Sequence, residues 1–396
     1  MPAEPVLREV VEALEGMVRE AGSPGEREAA EWIAARFEAA GARATVDDEL
    51  FHDGFAGMLG RLAAGAAAAG ALTAATGRFR KLGAAVGAGA AALIADDIQN
   101  GFRPWRKAVM ERKTTTNVVA EIGDPGAERT LVVLGHHDAA HTGQVFDPTL
   151  QRILGERFPG IIERIDTSIP QWWGLLAGPA LVAAGSATGR RGMTAAGVAV
   201  SALGAALMED IERGEVVPGA SDNLSSVAAM VALAEALHER PVPGLRVILA
   251  SCGAEEILQG GIYGFCERHL APLDRENTWV LNLDTVGSPG LVLLEGEGPV
   301  IMEDFFDVTW RDLIARVAER ERIPMRRGMR ARASTDTVIP SRMGYPTACL
   351  VSVNRYKALD NYHQPSDTSE NLSWATIAAA ADLAEALARE LAAPRA

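Results

Sequence analysis

Positive charge is in deficit in this chain. Its 38 Lys and Arg residues face 52 Asp and Glu, a formal net charge of −14. With no basic stripe to offset repulsion from phosphates, this balance argues against a nucleic-acid partner. Cysteine is scarce as well: Cys252, Cys266 and Cys349 cannot pair without leaving one over, and none stands in a CxxC spacing. That excludes a disulfide scaffold and a zinc ribbon, and the three read as small buried apolar residues. No uninterrupted apolar run occurs in the opening MPAEPVLREVVEALEGM, which carries acidic residues early and reads as an amphipathic helix instead of a secretory signal. Histidine is rare too, with seven in 396 residues, yet three of them fall in the stretch GHHDAAHTG at 135–143.

What the chain has is apolar content, 48% of its residues, enough for one large α/β domain with additions or for two domains. Apolar positions at helical spacing (Val6, Val10, Val11, Leu14; Ile33, Phe37) predict two helices over residues 6–41, separated by the turn AGSPGE. From Asn117 onward, short β-rich runs (NVVAEI, LVVLG, LRVILAS, WVLNLD, LVLLE, TACLVSV) alternate with helical stretches such as Leu224–His238, Asp304–Glu321 and Trp374–Leu391. Such alternation predicts an α/β fold: βα units around a mainly parallel, twisted sheet.

Two segments break that grammar. Residues 56–99 and 172–208 are dominated by Ala, Gly, Leu and Val, and each is split by a short basic tip, GRFRKLG or TGRRG. Each reads as a helical hairpin whose arms approach the lower limit for spanning hydrocarbon. Trp172 and Trp173 sit where interfacial anchors would, and the basic tips oppose acidic residues on the side of the main body. By the positive-inside rule the tips would be cytoplasmic, an orientation that Arg103, Arg106 and Lys107 contradict. A soluble Ala/Gly-rich lid or dimerisation arm is the other reading, since Arg61 interrupts the first arm and small residues also favour close helix packing. The expected organisation is a catalytic body of residues 1–55 and 100–396, a hairpin at 56–99, and a second insertion at 144–217 that contains the other hairpin. Localisation follows the hairpins, either membrane-associated or cytoplasmic.

A binuclear metal site needs one ligand shared between two cations, further ligands for each, and an outside base to handle a proton. In an open α/β sheet these groups belong just beyond the carboxyl ends of strands. His136 follows LVVLG; Glu255 and Glu256 follow LRVILAS; Asp284 ends WVLNLD; Tyr362-His363-Gln364-Pro365-Ser366-Asp367 follows TACLVSV by a short loop. Between the first two lies PGASDNLSS, with Ser221 and Asp222 at the N-terminal turn of a helix. Each signal alone is weak, because a His after a strand or a Glu pair is usually only packed or solvated. Five in succession, each of a type such a site requires, are not.

This ordered set resembles the M28 family of metallopeptidases, the di-zinc aminopeptidases: a strand ending in H-x-D, then G-A-x-D-N, E-E, a strand ending in Asp, and Y-H-x-x-x-D. SPGE at residue 23 and NVVAEIGD at 117 fit as well, so the likeness covers roughly 1–50 and 115–395 and leaves out the hairpins. The resemblance implies a three-layer phosphorylase/hydrolase-like fold and an aminopeptidase acting on peptides or small amides, with two Zn2+ ions. Cobalt or manganese would also suit a His/carboxylate set. It further implies that Asp222 bridges the metals, that His136 and Asp284 complete one and Glu256 and His363 the other, and that Glu255 is the general base. Asp138 would fix the local backbone or the His136 imidazole, and Asp336 would stand near the site. His137 would be turned away from the metals by strand alternation, and His141 would be a rim residue.

The chain departs from the family pattern in three places. The second insertion lengthens the stretch between His136 and Asp222 and leaves from the rim of the site, where it could act as a lid, gate or anchor. The usual G-L-x-G-S after E-E reads Ile257-Leu258-Gln259-Gly260-Gly261-Ile262 here, so the lining beside the metals is expected to differ, and Ala139 stands where Ser is frequent. Three alternatives accompany the aminopeptidase reading: a glutaminyl-cyclase-like activity with one zinc, another amidohydrolase, and a non-catalytic receptor or scaffold. The intact Glu255 beside a full ligand set argues against the last.

Overall fold

The computed structural model describes residues 4–393. Nine strands form one sheet: β1 (Arg43–His52), β2 (Arg112–Gly123), β3 (Thr130–His136), β4 (Arg246–Cys252), β5 (Thr278–Leu283), β6 (Gly290–Glu297), β7 (Glu303–Asp304), β8 (Arg326–Ala331) and β9 (Thr347–Val353). Their spatial order is β1-β2-β4-β3-β5-β9-β6-β7, with β8 also on β6. The four central strands β4, β3, β5 and β9 run parallel, and β2 and β6 join them antiparallel on either side.

Burial on both faces explains the strand sequences. Every residue of β3 and β9 is buried, as expected of parallel strands covered by helices on both sides. Along β3 the side chains alternate, Leu131 and Val133 into one core and Val132 and Leu134 into the other. The first core is closed by helices Glu4–Leu14, Pro24–Ala39, Ser225–Glu239, Val308–Arg320 and Trp374–Ala392. The fourth of these starts later than its periodicity suggests: Asp304 ends β7, and Asp307 caps the helix by accepting from the Thr309 N–H at 2.9 Å. The second core contains Ile262, Phe265, Val338 and Tyr345. Together these make three layers with a mostly parallel central sheet.

The hairpins rise from one end of this body. Their helices are Ala56–Thr76 with Arg80–Ile98 and Trp173–Thr188 with Arg191–Glu212, each pair turning through a left-handed glycine, Gly77 or Gly189. The four pack into a single bundle. A Cβ on Gly178 would meet Ser201 at 2.6 Å and one on Gly185 would meet Thr194 at 2.5 Å, so the helices approach at backbone distance.

Candidate metal centre

The parallel strands deliver their carboxyl ends to one edge of the sheet, and the candidate ligands gather there. His136 is the last residue of β3, Glu255 and Glu256 follow β4, and Asp284 follows β5. The loop after β9 brings His363, and the turn before helix Ser225–Glu239 brings Asp222. Asp222 stands in the middle, with its Oδ1 3.2 Å from Nε2 of His136 and its Oδ2 3.2 Å from Nε2 of His363. His363 Nε2 is also 3.2 Å from Glu256 Oε2. Two groupings compact enough to hold a metal ion therefore share Asp222: His136–Asp222–Asp284 and Asp222–Glu256–His363.

The donor set fits divalent cations. It consists of imidazoles and carboxylates, and the buried Nε2 of His363 and Oε1 of Glu256 have no hydrogen-bond partner among the described residues. Burial would raise Asp222, but the imidazoles of His136 and His363, each 3.2 Å away, more than offset it and hold the carboxyl below its ordinary range. Asp284, buried among other acids, is pushed up to about 6. The third grouping, His136–Glu255–Glu256, brings Glu255 to the edge of the same cup, where its Oε2 lies 3.8 Å from His136 Nε2. Burial drives Glu255 well above the ordinary carboxylate range, as suits a group that must hold a proton for part of a cycle.

Carboxylates and amides around the cup hold its walls. Asp138 accepts from the backbone N–H groups of Glu255 and Glu256, both at 3.0 Å, and its Oδ1 lies 3.3 Å from Nδ1 of His136. Asp367 does the same for the Asp222 turn, accepting from Ser221 N–H at 2.8 Å and Asp222 N–H at 3.1 Å. Asn223 donates to Leu283 O and accepts from Thr285 N–H, which ties that turn to the strand end bearing Asp284. Glu26, from SPGE, accepts from Ala254 N–H at 2.9 Å and from the Thr115 hydroxyl. Ala254, Thr285 and His363 adopt left-handed φ values of 52°, 51° and 53°, so strained backbone stands beside Glu255 and Asp284 and at His363 itself.

Other positions are equally definite. His137 is fully buried and faces Ser251, its Nδ1 2.9 Å from Oγ, while His141 binds Gly214 O at the rim. Asp336 is buried beside Cys252, and burial raises it to about 8. Several residues without a sequence signal also shape the site. Arg19, wholly buried, donates to His137 O at 2.8 Å and Pro218 O at 2.7 Å and so staples β3 to the Asp222 turn. Gln259 donates to Glu255 Oε1 at 2.7 Å and accepts from Asn100 at 2.6 Å. Phe146, from the second insertion, packs its ring edge-on to His363 at 4.3 Å. The cleft over the cup is walled by Asp147, Gln151, Ile169 and Gln171 of that insertion and by residues 329–335.

Residues 204–388 match the family model Peptidase family M28. No curated protein matches the chain. Among solved structures, LapB from Legionella pneumophila is similar over 100% of this chain and 73% of its own, at 14% identity and TM-score 0.54. An aminopeptidase from Aneurinibacillus sp. strain AM-1 is similar over 98% and 93%, at 16% identity and TM-score 0.54. A glutaminyl cyclase from Bacteroides thetaiotaomicron is similar over 98% of both chains, at 11% identity and TM-score 0.57. Likeness at these identities concerns the fold.

Proposed function

Because residues 204–388 match the family model Peptidase family M28, we propose that the chain is a metal-dependent aminopeptidase in which Asp222 would serve both of two divalent ions, with zinc the first expectation. The observation that carries this reading is the placement of Asp222 within 3.2 Å of both His136 and His363, with Glu255 beside the cup and outside the two groupings that share it. His136 and Asp284 would hold one ion, Glu256 and His363 the other. Ions bound there would acidify the attacking water and polarise the scissile carbonyl. The chain's own residues supply the rest. Gln259 occupies Oε1 of Glu255 and leaves Oε2 facing the cup, so that this oxygen takes the water's proton and then returns it to the departing amine. Asp138 keeps Glu255 and Glu256 in register by fixing both of their amides.

Glutaminyl-cyclase-like chemistry on the same fold is the competing reading, and the complete second grouping at His363 favours two ions over one. Metal analysis combined with aminoacyl-anilide assays tests the assignment. Glu255→Ala should keep about two metal equivalents and lose at least ~100-fold in kcat. Full activity in that variant, or a single metal with cyclisation of N-terminal glutamine, would overturn it.

A further inference from the structure

The four-helix bundle carries a surface that water does not explain. Between its charged ends, residues 62–77, 82–95, 172–188 and 192–208 contain no Asp, Glu, Lys, Arg or His, in a chain that is 23% charged overall. These stretches are not hidden core. Helices Ala56–Thr76 and Arg191–Glu212 are long and apolar enough to cross a membrane, yet only 44% and 28% of their apolar windows are buried. Ala68, Ala88, Ala184 and Ala199 point outward, as does Leu203, which is 61% exposed. Threonine hydroxyls inside the band are turned back onto their own helices, Thr73 donating to Ala69 O and Thr188 to Ala184 O, while the Ser186 and Ser201 hydroxyls are buried between the helices. The interior is closed by small residues in backbone contact, the packing that holds helices together where no hydrophobic force acts between them.

The ends of the band differ in kind. The far tip carries Arg78, Arg80, Lys81, Arg190 and Arg191 with no acidic residue in 77–81 or 189–191, and Phe79 stands exposed among them. The near end carries Trp172, the half-exposed Trp173 and the exposed Arg61, followed by Asp96, Glu209 and Asp210. A charge-free arm of some sixteen residues is roughly 24 Å long. Snorkelling tip arginines and a tryptophan belt at the near end extend that reach towards the ~30 Å of a hydrocarbon core. Leaving the tip within the hydrocarbon would bury five cations, so partial insertion is excluded.

We propose that this bundle spans a lipid bilayer, with its basic tip among anionic headgroups on the cytoplasmic side and the catalytic body on the opposite face. Of the three cations that oppose this orientation, Lys107 stays exposed near the root of the bundle, while the two arginines are drawn into the body. Arg106 is buried in an ion pair with Asp97 at 2.7 Å, and Arg103 is buried against Asn100 and the backbone of Asp97. A second cleft touching Glu256 and His363 is lined by Phe55, Ala56, Ile211 and Glu212 at the root of the bundle, so the candidate centre lies at the membrane surface.

The test is fractionation of the full chain after expression in bacteria. The protein should stay in the membrane pellet through alkaline carbonate and leave it only in detergent. Recovery in the detergent-free soluble fraction, as a monomer or as a dimer closed through the bundle, would overturn the proposal. A variant carrying Ala68→Glu, Ala88→Glu, Ala184→Glu and Ala199→Glu should fall at least tenfold in the pellet, whereas a water-facing bundle would accept the same charges unchanged. For orientation, Arg190→Cys should resist an impermeant maleimide in intact cells and react after lysis, since Cys252, Cys266 and Cys349 are buried. Labelling of intact cells would reverse the assignment. None of these readouts uses catalysis, so they stand or fall apart from the peptidase reading.

Discussion

Asp138 and Glu255 meet backbone to side chain: one oxygen of the Asp138 carboxylate accepts the Glu255 N–H at 3.0 Å, and the other accepts the N–H of Glu256 at the same distance. A single group thus sets the proposed base and a candidate metal ligand together. Asp138→Asn would put an amide donor against one of those N–H groups. Outer partners of metal ligands typically contribute ~10–100-fold to affinity or activity. The variant should lose metal affinity and kcat in that range, as measured by metal titration and initial rates. Wild-type values in both would show that the Asp138 contacts are incidental.

Gln259 reaches the other end of the same side chain. Gln259→Leu removes the N–H donor to Glu255 Oε1 and leaves Asn100 and the Ser334 carbonyl without their partner. A carboxylate that loses a donor becomes easier to protonate, so the acid limb of the kcat profile should move to higher pH while metal content is unchanged. An unshifted limb would assign Gln259 to packing alone.

His137 gives a stability signature with a definite sign. Burial lowers it to about 4 from an ordinary value near 6.5. The folded chain therefore favours the neutral ring; the stability this contributes is present above pH 6.5 and is lost as pH falls through 4. Denaturant midpoints of wild type and His137→Asn, compared between pH 7 and 4, should show a steeper decline for wild type, by up to about 3 kcal/mol. Metal release is common to both chains and cancels. Parallel profiles would sink the assignment.

Burial raises the thiols of Cys252, Cys266 and Cys349 above their usual range. A thiol reagent at pH 8 should find none in the native protein and three after denaturation; one fast-reacting native thiol would contradict the packing.

Some residues of the candidate centre were legible because they sit at points of changing periodicity, where an apolar run stops and one polar group follows. His136 and Asp284 are of this kind. Asp367 and Asn223 stood inside the quoted motifs, but their work, holding the neighbouring turn by its amides, needs the fold to be seen. Arg19 had no signal at all: it acts on the carbonyls of His137 and Pro218, which are distant in sequence and identical in character to any others. Phe146 was hidden for the same reason, whereas Gln259 stood in the quoted stretch after E-E and only its bond to Glu255 needed the fold to be seen. Among the strands, β1 (RATVDDELFH) lacks apolar alternation because it is a half-exposed edge, and β2 reads like a parallel strand but runs antiparallel to both neighbours.

The order of the bundle along the chain sets an order of manufacture. Its last helix ends at Glu212, before β4, β5 and β9 have been made and before four of the five candidate ligands, Asp222, Glu256, Asp284 and His363, exist. Chains emerge N-terminus first and their early parts can fold as they appear. The nascent protein can therefore complete its helical bundle while His136 is still the only one of the five candidate ligands made, and the candidate centre closes only after the residues that follow the bundle have been added.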